Sequence, residues 1–325
     1  MLINTGCQKK FSISRFGFAI LTTLAAGMML AAVYRSVLAA DVKQRGFKSP
    51  EEAVQALMNA VKGNDEKELL TILGPMGKEL ISSGDRVADQ AGRDRFVKAF
   101  EGMNKLVKVN ENDEKMVLLV GSEDWPFPIP IVKQGEGWFF DTLAGREEIL
   151  NRRIGRNELN AIQVCLAYVD AQREYALKDR KGDKLFEYAQ RFVSEAGKKN
   201  GLYWETKGDE PQSPLGPLIA RASREGYTGK RPVGKRSPFH GYYYRILRAQ
   251  GKDAPGGEYD YVVNGKMIGG FALIAYPAEF GNSGVITFMV NHEGVVYEKN
   301  LGKDTEKIAA DVKQFNPDKT WKKVE

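Results

Sequence analysis

Histidine and cysteine are the residue types most often used for nucleophilic or metal chemistry, and both are scarce in this chain. The sequence holds two histidines and two cysteines. Cys165 falls beside Leu166 and Val169 on the apolar side of a predicted helix, where a thiol is expected to be buried rather than ionised. This set is too small for a tetrahedral zinc site without carboxylates that the sequence does not locate. We therefore predict no catalytic residue, no metal and no cofactor.

The two histidines lie in different settings. His292 belongs to a four-residue link, 291–294, between two predicted strands, which is typical of an exposed turn. His240 precedes Gly241 and three consecutive tyrosines, so its ring is expected to pack against aromatic groups. Of the two, His240 is the histidine for which we favour a binding role.

Carboxylates and glycines are plentiful but lack the spacing of known sites. Asp253, Glu258 and Asp260 could offer oxygens to calcium, yet they lack the alternating order of a calcium loop, which favours a solvated turn. Gly269-Gly270 leads into a strand instead of a helix N-terminus, so it does not resemble a phosphate loop. A hydrolase with a pair of carboxylates stays open, because the separation it needs cannot be read from sequence.

Aromatic and basic residues are interleaved between positions 227 and 248, and this segment is the most suggestive binding surface. Aromatic rings stack on sugars and peptides, and guanidinium groups pair with anions. The competing interpretation is that alternate tyrosines are core residues, because a strand turns half of its side chains inward. The residues predicted to bind a ligand are His240, Tyr242, Tyr244, Arg245, Arg248 and Trp204, and the surrounding cluster adds Tyr227, Lys230, Arg231, Lys235, Arg236, Phe239 and Tyr243.

The positive charge of the chain comes mostly from its N-terminus. The 325 residues carry a formal charge of +6, with 48 basic and 42 acidic residues. Residues 1–40 hold four of the basic residues and no acidic one, which leaves 44 basic against 42 acidic residues in the remainder. This near-neutrality removes the compositional support for nucleic-acid binding.

The first forty residues have the order of an export signal. Basic residues precede an apolar run over 16–34, and small residues suited to cleavage follow at Ala39 and Ala40. Cleavage would remove Cys7 and leave Cys165 as the sole cysteine, which excludes an intramolecular disulfide. We predict a periplasmic or exported bacterial protein. An uncleaved inner-membrane anchor stays the alternative, because a run of about 19 residues could just span a bilayer.

Local signals predict an N-terminal region of helices followed by strands. Ser49-Pro50-Glu51-Glu52 is typical of a helix start, and Asp65 follows a stop signal and caps a second helix. A third helical stretch is predicted over 93–103. Strands are predicted over 106–109, 115–121, 128–133 and 138–141.

The second half of the chain is predicted to contain a helical connector and a sheet. Amphipathic helices are expected from Asn157 to Lys178 and from Lys184 to Ala196, followed by an ordered, wrapping Pro/Gly loop. Strands are then predicted over 242–247 and 259–263. Between Gly269 and Lys299 lies a three-stranded antiparallel meander, and a helix capped by Asp304 runs to Phe315.

Three resemblances accompany these patterns. Over residues 48–142, the helices followed by strands that end in Gly-Glu-Gly-Trp-Phe-Phe-Asp resemble the nuclear-transport-factor-two-like cone fold. Enzymes on that fold place an Asp/His pair in the cone, and no histidine precedes His240 here. Ser-Pro-Leu-Gly-Pro at 213–217, Phe-His-Gly-Tyr-Tyr-Tyr at 239–244 and Gly-Gly-Phe-Ala-Leu-Ile-Ala-Tyr-Pro at 269–277 resemble the family "domain of unknown function 2950", which implies an exported envelope protein. The meander is also similar to the C-terminal sheet of pilins.

We therefore expect an α+β protein with an N-terminal cone, a helical connector and a C-terminal antiparallel sheet with a terminal helix. The expected divisions are a signal peptide over 1–40, the cone over 41–155, the connector over 156–198 and the β-rich domain over 199–325. The favoured function is a non-enzymatic binding or scaffolding module of the cell envelope. Its partner would be an envelope protein, a glycan or a lipid head group, with no nucleic acid. An envelope-polymer hydrolase and a pilin-like assembly subunit are the alternatives.

Overall fold

The structure is a computed structural model that describes residues 43–109, 114–227 and 236–324. It combines helices with antiparallel sheets, which confirms the predicted α+β class. The predicted export signal and Lys230, Arg231 and Lys235 lie outside the described residues. Within the described ranges, no helix is long and apolar enough to cross a membrane.

The first two helices begin at the predicted caps. Helix α1 spans Pro50–Lys62, and the hydroxyl of Ser49 accepts the N–H of Glu52 at 3.2 Å. Helix α2 spans Glu66–Leu73, and the carboxylate of Asp65 accepts the N–H of Glu68 at 2.9 Å. Each cap accepts a backbone N–H of the first helical turn that would otherwise lack a partner. The start of each helix could therefore be predicted from neighbouring residues alone.

A short 3₁₀ turn, Pro75–Gly77, and helix α3, Lys78–Ile81, lead to helix α4, Arg86–Gly102. Helix α4 starts seven residues before the predicted position. The reason is Asp85, whose carboxylate accepts the N–H of Ala88 at 3.1 Å and so caps the helix at its true start.

The N-terminal sheet has the strand order β1-β2-β4-β5, with β3 paired to β2 and all neighbours antiparallel. The strands are β1 Asn104–Lys108, β2 Lys115–Val120, β3 Trp125–Pro126, β4 Ile131–Gln134 and β5 Gly137–Phe140. The four predicted strands are thus confirmed to within three residues. Together with α1 and α2 the sheet buries a core that includes Leu57, Ile72, Leu118, Ile131 and Phe140. Residues 44–141 are called the N-terminal lobe below.

Helix α5, Thr142–Ala176, is 35 residues long and joins two separate cores. It begins fifteen residues before the predicted start, because the carboxylate of Asp141 caps the N–H of Ala144 at 3.2 Å. Its first half packs on the 3₁₀ turn and α3, and its second half packs on the C-terminal sheet. In that second half Tyr168 and Val169 are buried, and residues 177–324 are called the C-terminal lobe.

The helix predicted over 184–196 is wrong, because this segment is irregular. Its backbone groups bond to distant partners: the N–H of Tyr188 reaches the carbonyl of Met267 at 2.8 Å, and Ser194 reaches Tyr203 at 2.8 Å. The amide of Gln172, which is fully buried on α5, accepts the N–H of Ala189 at 2.8 Å and donates to its carbonyl at 2.7 Å. These nonlocal bonds override the helical periodicity of the segment.

The C-terminal sheet has the order β14-β13-β12-β11-β6 and is antiparallel throughout. Its strands are β6 Tyr242–Leu247, β11 Ala272–Pro277, β12 Ile286–Asn291, β13 Val296–Asn300 and β14 Lys322–Lys323. The predicted strand over 242–247 and the predicted meander are both confirmed. Two short pairs flank the sheet: β7 Ala249–Gln250 with β8 Tyr259–Asp260, and β9 Val262–Val263 with β10 Lys266–Met267.

Two short helices differ from expectation. Helix α6, Gly216–Arg224, was missed inside the predicted loop, where Pro217 stands at the start of the helix. Helix α7 spans Thr305–Asp311 and is shorter than predicted, and Asp304 makes no side-chain capping bond. The hydroxyl of Thr305 instead donates to the carbonyl of Gly302 at 2.5 Å. Helix α7 packs against β11, so the sheet is covered by α5 and α7.

The Gln172 contact generates a stability prediction. Gln172→Leu keeps nearly the same side-chain volume but leaves the buried N–H and carbonyl of Ala189 without their partner. We expect the free energy of unfolding in urea to fall by about 2–4 kcal/mol, since each unsatisfied buried group costs about 1–3 kcal/mol. Gln163→Leu, at an exposed position on the same helix, should change the free energy of unfolding by less than about 0.5 kcal/mol. Equal stability of the two variants would contradict the role given to Gln172.

Candidate binding cavity

A cavity of about 580 Å³ lies against one side of the N-terminal core. Its volume is within the roughly 300–1,000 Å³ range of small-molecule sites. The apolar side chains of its floor come from helices α1, α2, α4 and α5 and from the turn before β4. They are Leu57, Val61, Leu69, Leu73, Phe96, Phe127, Ile129 and Ile149.

The C-terminal lobe completes the wall of the cavity. Arg221 and Glu225 come from helix α6 and the residue after it, and Tyr227 and His240 come from the segment before β6. The cavity is therefore built from both lobes, although most of its floor belongs to one.

A buried carboxylate fixes this closure. Asp85 is 2% exposed, and its Oδ2 accepts the phenol of Tyr227 at 2.8 Å and the N–H of Gly241 at 2.9 Å. Burial, followed by the charge of Asp85, raises the pKa of Tyr227, so the phenol keeps its proton and donates. The phenol oxygen also accepts the N–H of His240 at 3.2 Å. A single carboxylate thus joins the start of α4 to the C-terminal lobe.

Arg153 makes a second connection between the lobes. Its guanidinium donates to the carbonyls of Glu79 and Leu80 at 2.6 and 2.7 Å and to the side-chain oxygen of Asn282 at 2.5 Å. Burial lowers the pKa of Arg153, and the nearby carboxylate of Asp89 opposes this effect. Three of the five N–H groups of this arginine donate to protein acceptors, so its role is structural.

His240 reaches the cavity from the C-terminal lobe. Its ring lies 4.2 Å from that of Phe239 and 5.5 Å from that of Tyr227, between centroids, as its expected aromatic packing requires. Its Nε2 lies 3.2 Å from a carboxylate oxygen of Glu225. Burial lowers the pKa of His240, and Glu225 opposes the shift. The backbone of His240 is left-handed, with φ of 51°, a conformation that non-glycine residues rarely adopt.

An Asp/His combination lines the cavity after all. Asp89 and His240 both contribute to the lining, although the sequence has no histidine in the N-terminal region. Burial raises the pKa of Asp89, and hydrogen bonds from the hydroxyl and N–H of Ser83, at 2.6 and 2.9 Å, oppose the shift. The sequence could not show this arrangement, because the two residues are 151 positions apart and line one cavity only when the lobes pack.

Two arginines at the cavity differ from the other four. Arg93, Arg152 and Arg221 form ion pairs with Glu66, Glu148 and Glu225, respectively, and Arg153 is held as described above. Arg95 on α4 and Arg156 on α5 form no ion pair with a carboxylate of the described residues. Burial lowers the pKa of Arg156, and the cation of Arg95 lowers it further. Both residues are exposed, and their two like charges act on each other at the cavity without a balancing anion from the described part of the chain.

The structure does not bring together the six predicted binding residues. Of these residues, His240 alone lines the cavity. Tyr242 is fully buried in the C-terminal core and donates its hydroxyl to the carbonyl of Ile286 at 2.8 Å. Tyr244 is half-buried, and its hydroxyl lies 3.4 Å from the carbonyl of Phe239.

The other predicted binding residues lie elsewhere. Arg245 donates to the carbonyl of Ala309 on α7 at 2.5 Å, and Arg248 is exposed. Trp204 carries the guanidinium of Arg180 over its ring at 5.0 Å, far along the chain from the other five. Strand alternation explains the outcome, since Tyr242 and Arg245 turn to opposite faces of β6. The aromatic and basic segment is thus not one continuous surface.

The remaining chemical candidates, Cys165, His292 and Asp253, are packed or hydrogen-bonded within the protein. Cys165 is fully buried, and burial raises its pKa to about 12, so it is not a nucleophile at neutral pH. His292 was expected to be exposed but is half-buried, because its ring packs edge-on against Tyr261 and Phe271. Asp253 lies in a turn and accepts the side-chain N–H of Asn316 at 3.0 Å. Among the described residues, no three histidine, cysteine or acidic side chains cluster as metal ligands would.

The connection through Asp85 can be tested by removing one hydroxyl group. Tyr227→Phe leaves the ring in place but deprives the buried carboxylate of a donor and the N–H of His240 of an acceptor. We expect the free energy of unfolding to fall by about 1–3 kcal/mol, the cost of leaving a buried polar group unsatisfied. The control is Tyr259→Phe, at an exposed tyrosine. This substitution should change the free energy of unfolding by less than about 0.5 kcal/mol. An unchanged Tyr227→Phe protein would rule out this connection as a source of stability.

Comparison with known proteins places the chain in a family without assigning it an activity. No curated protein and no solved structure matches the chain. The predicted likeness to the nuclear-transport-factor-two-like fold is therefore not confirmed and stays a prediction. A family model described as "Protein of unknown function (DUF2950)" matches residues 44–324, nearly all of the described chain, and the protein belongs to this family.

Proposed function

We propose that the protein is a non-enzymatic binding module that holds a small, largely apolar molecule in the cavity. The observation that carries the proposal is the cavity itself, about 580 Å³ in volume, with an apolar floor and a wall closed by the second lobe. A concave apolar site with a few polar groups at its edge is the usual form of a small-molecule site.

The connections between the lobes support this proposal. Asp85 and Arg153 satisfy their polar groups within the protein, so the wall is held in place before any ligand arrives. A pre-formed site loses less conformational entropy on binding than one that must first be ordered. The apolar floor gains dispersion contacts and loses water when a ligand fills it.

Hydrolysis is the second candidate, because Asp89 and His240 line the same cavity and burial raises the pKa of the Asp89 carboxyl. A raised carboxyl pKa in a cleft is a feature of catalytic acids. We favour binding because the protein already occupies these groups. Ser83 donates twice to Asp89, and Glu225 faces Nε2 of His240.

We further propose that the protein acts outside the cytosol, in the periplasm. The support is the basic start, the apolar run over 16–34 and the small residues at Ala39 and Ala40. A cell-envelope module would then carry its cavity into a compartment where apolar molecules need protein carriers to cross water.

The cavity can be filled by substitution at a helical glycine. A Cβ placed on Gly92, which lines the cavity, would meet only the end of the Arg95 side chain, at 3.9 Å. Gly92→Leu should therefore fold and occupy the site, and we expect at least tenfold weaker binding of the neutral dye N-phenyl-1-naphthylamine, followed by fluorescence. The matched control is Gly155→Leu on α5, where no heavy atom lies within 4 Å and which is outside the cavity lining.

The control should bind the dye as the unchanged protein does. Both substitutions replace glycine within a helix, so both should stabilise that helix by up to about 1 kcal/mol. Absence of saturable dye binding by the unchanged protein, or equal binding by the two variants, would contradict the proposal.

Export can be tested by the mass of the protein recovered from a bacterial periplasm. We expect a mature chain that begins at Ala40 or Asp41, because the cleavage enzyme requires small residues before the cut. Replacing Ala39 and Ala40 together by Trp should leave the full leader attached in the membrane fraction. A full-length product in the cytosol of cells that make the unchanged protein would contradict export.

A further inference from the structure

We propose that the molecule held in the cavity is an anionic amphiphile, whose alkyl chain lies on the apolar floor and whose carboxylate or phosphate head lies between Arg95 and Arg156. This inference rests on the proposed function, since it names the chemical class of the ligand for the same cavity.

The charge of the lining is strongly one-sided. Six arginines line the cavity, namely Arg93, Arg95, Arg152, Arg153, Arg156 and Arg221, against two carboxylates, Asp89 and Glu225. A concave site with low-dielectric walls concentrates the field of such an excess and attracts an anion. Part of this excess is balanced by Glu66 and Glu148 outside the lining, and an anionic ligand would balance more of it than a neutral one.

The contrast among the arginines locates the head group. Four of the six have protein partners: three form ion pairs and Arg153 bonds to carbonyl and amide oxygens. Arg95 and Arg156 form no ion pair with a carboxylate in the described ranges. Like charges that lie close together repel, and the repulsion becomes an attraction when an anion bridges them. The two guanidinium groups can each present two parallel N–H donors to one carboxylate or phosphate.

Neighbouring residues extend the polar edge. Asn160 lies one helical turn after Arg156 on α5 and also lines the cavity, so its amide can supply a further donor to the head group. Phe96 follows Arg95 directly and contributes to the floor. On α4, therefore, a cationic residue and an apolar residue are adjacent at the cavity. A ligand with an anionic head next to an alkyl chain matches this order.

The apolar floor distinguishes an amphiphile from a small anion. A free phosphate ion would use the two arginines but would leave the apolar side chains of the floor in contact with water. Burial of an alkyl chain adds favourable free energy with every methylene group that leaves water. A tailed anion is therefore expected to bind far more tightly than inorganic phosphate at the same position.

Isothermal titration with four ligands tests the proposal: dodecanoate, dodecyl phosphate, dodecanol and inorganic phosphate, with the two tailed anions below their micelle concentrations and dodecanol below its solubility limit. We expect at least one of the two tailed anions to bind at least tenfold more tightly than dodecanol. Inorganic phosphate should bind at least a hundredfold more weakly than that tailed anion. The two anionic arms distinguish a fatty-acid head from a phospholipid-type head. Higher salt should weaken binding of the anion but not of the alcohol.

Variants assign the effect to the two arginines. Arg95→Gln combined with Arg156→Gln should reduce the affinity for the tailed anion to that for dodecanol, with dodecanol binding unchanged. Arg95→Lys combined with Arg156→Lys should retain most of the preference. Arg146→Gln is the matched control, since it removes the same charge from an arginine of α5 that pairs with Glu79 and lies outside the cavity lining, and it should change the preference less than threefold.

The outcomes separate this inference from the proposed function. Equal affinity for dodecanol and the anions, with both lost in Gly92→Leu, would overturn the anionic head group and leave the binding function standing. An equal loss of affinity for dodecanol and for the tailed anion in the double Gln variant would also overturn the anionic head group. Binding of inorganic phosphate as tight as that of the tailed anions would overturn it too. Failure of all four ligands to bind to a protein that still binds the neutral dye would overturn this inference and leave the proposed function standing, whereas failure of the dye as well would overturn both.

Discussion

The buried carboxylate of Asp85 is the contact on which the arrangement of this protein depends. Its Oδ1 caps helix α4, and its Oδ2 accepts hydrogen bonds from Tyr227 and Gly241 in the other lobe. A buried anion without donors would cost several kcal/mol, so the three donors are needed for the fold to be stable. The same side chain therefore sets where α4 begins and where the C-terminal lobe lies against it.

This contact links the two cores to the cavity. The cores are separate clusters of apolar side chains, and the long helix α5 contributes to the packing of both. A helix alone would leave the lobes free to change their relative position. The bonds of Asp85 and Arg153 add further connections, and the cavity wall includes Tyr227, which donates to Asp85, and His240, which precedes Gly241. The binding site is thus a consequence of how the lobes are joined.

Sequence signals predicted the parts of the fold that depend on neighbouring residues. The caps at Ser49 and Asp65 act over three residues, and the meander between Gly269 and Lys299 is marked by short apolar runs separated by turn residues. The start of α4 also has a local signal, Asp85, although the apolar periodicity of the sequence is clearer later in the helix. The helix predicted over 184–196 failed for a different reason: its backbone pairs with residues such as Met267, which no local pattern reveals.

The candidate site was mostly beyond prediction from one sequence. The arginines Arg95 and Arg156 are 61 positions apart, and His240 joins them only through the packing of the lobes. The aromatic segment around Tyr242 has the composition of a binding surface, yet Tyr242 itself is a core residue. Composition identifies groups capable of binding, but tertiary packing decides whether they face a ligand or the interior.

The most direct test of the account is native mass spectrometry of the protein purified, without added ligand, from the bacterial cells that produce it. The account predicts a bound molecule of lipid size in the unchanged protein and in Gly155→Leu, detected as an anion after release, and its absence from Gly92→Leu. The same bare mass for all three proteins, or the same adduct on all three, would contradict the claim that the cavity holds a ligand.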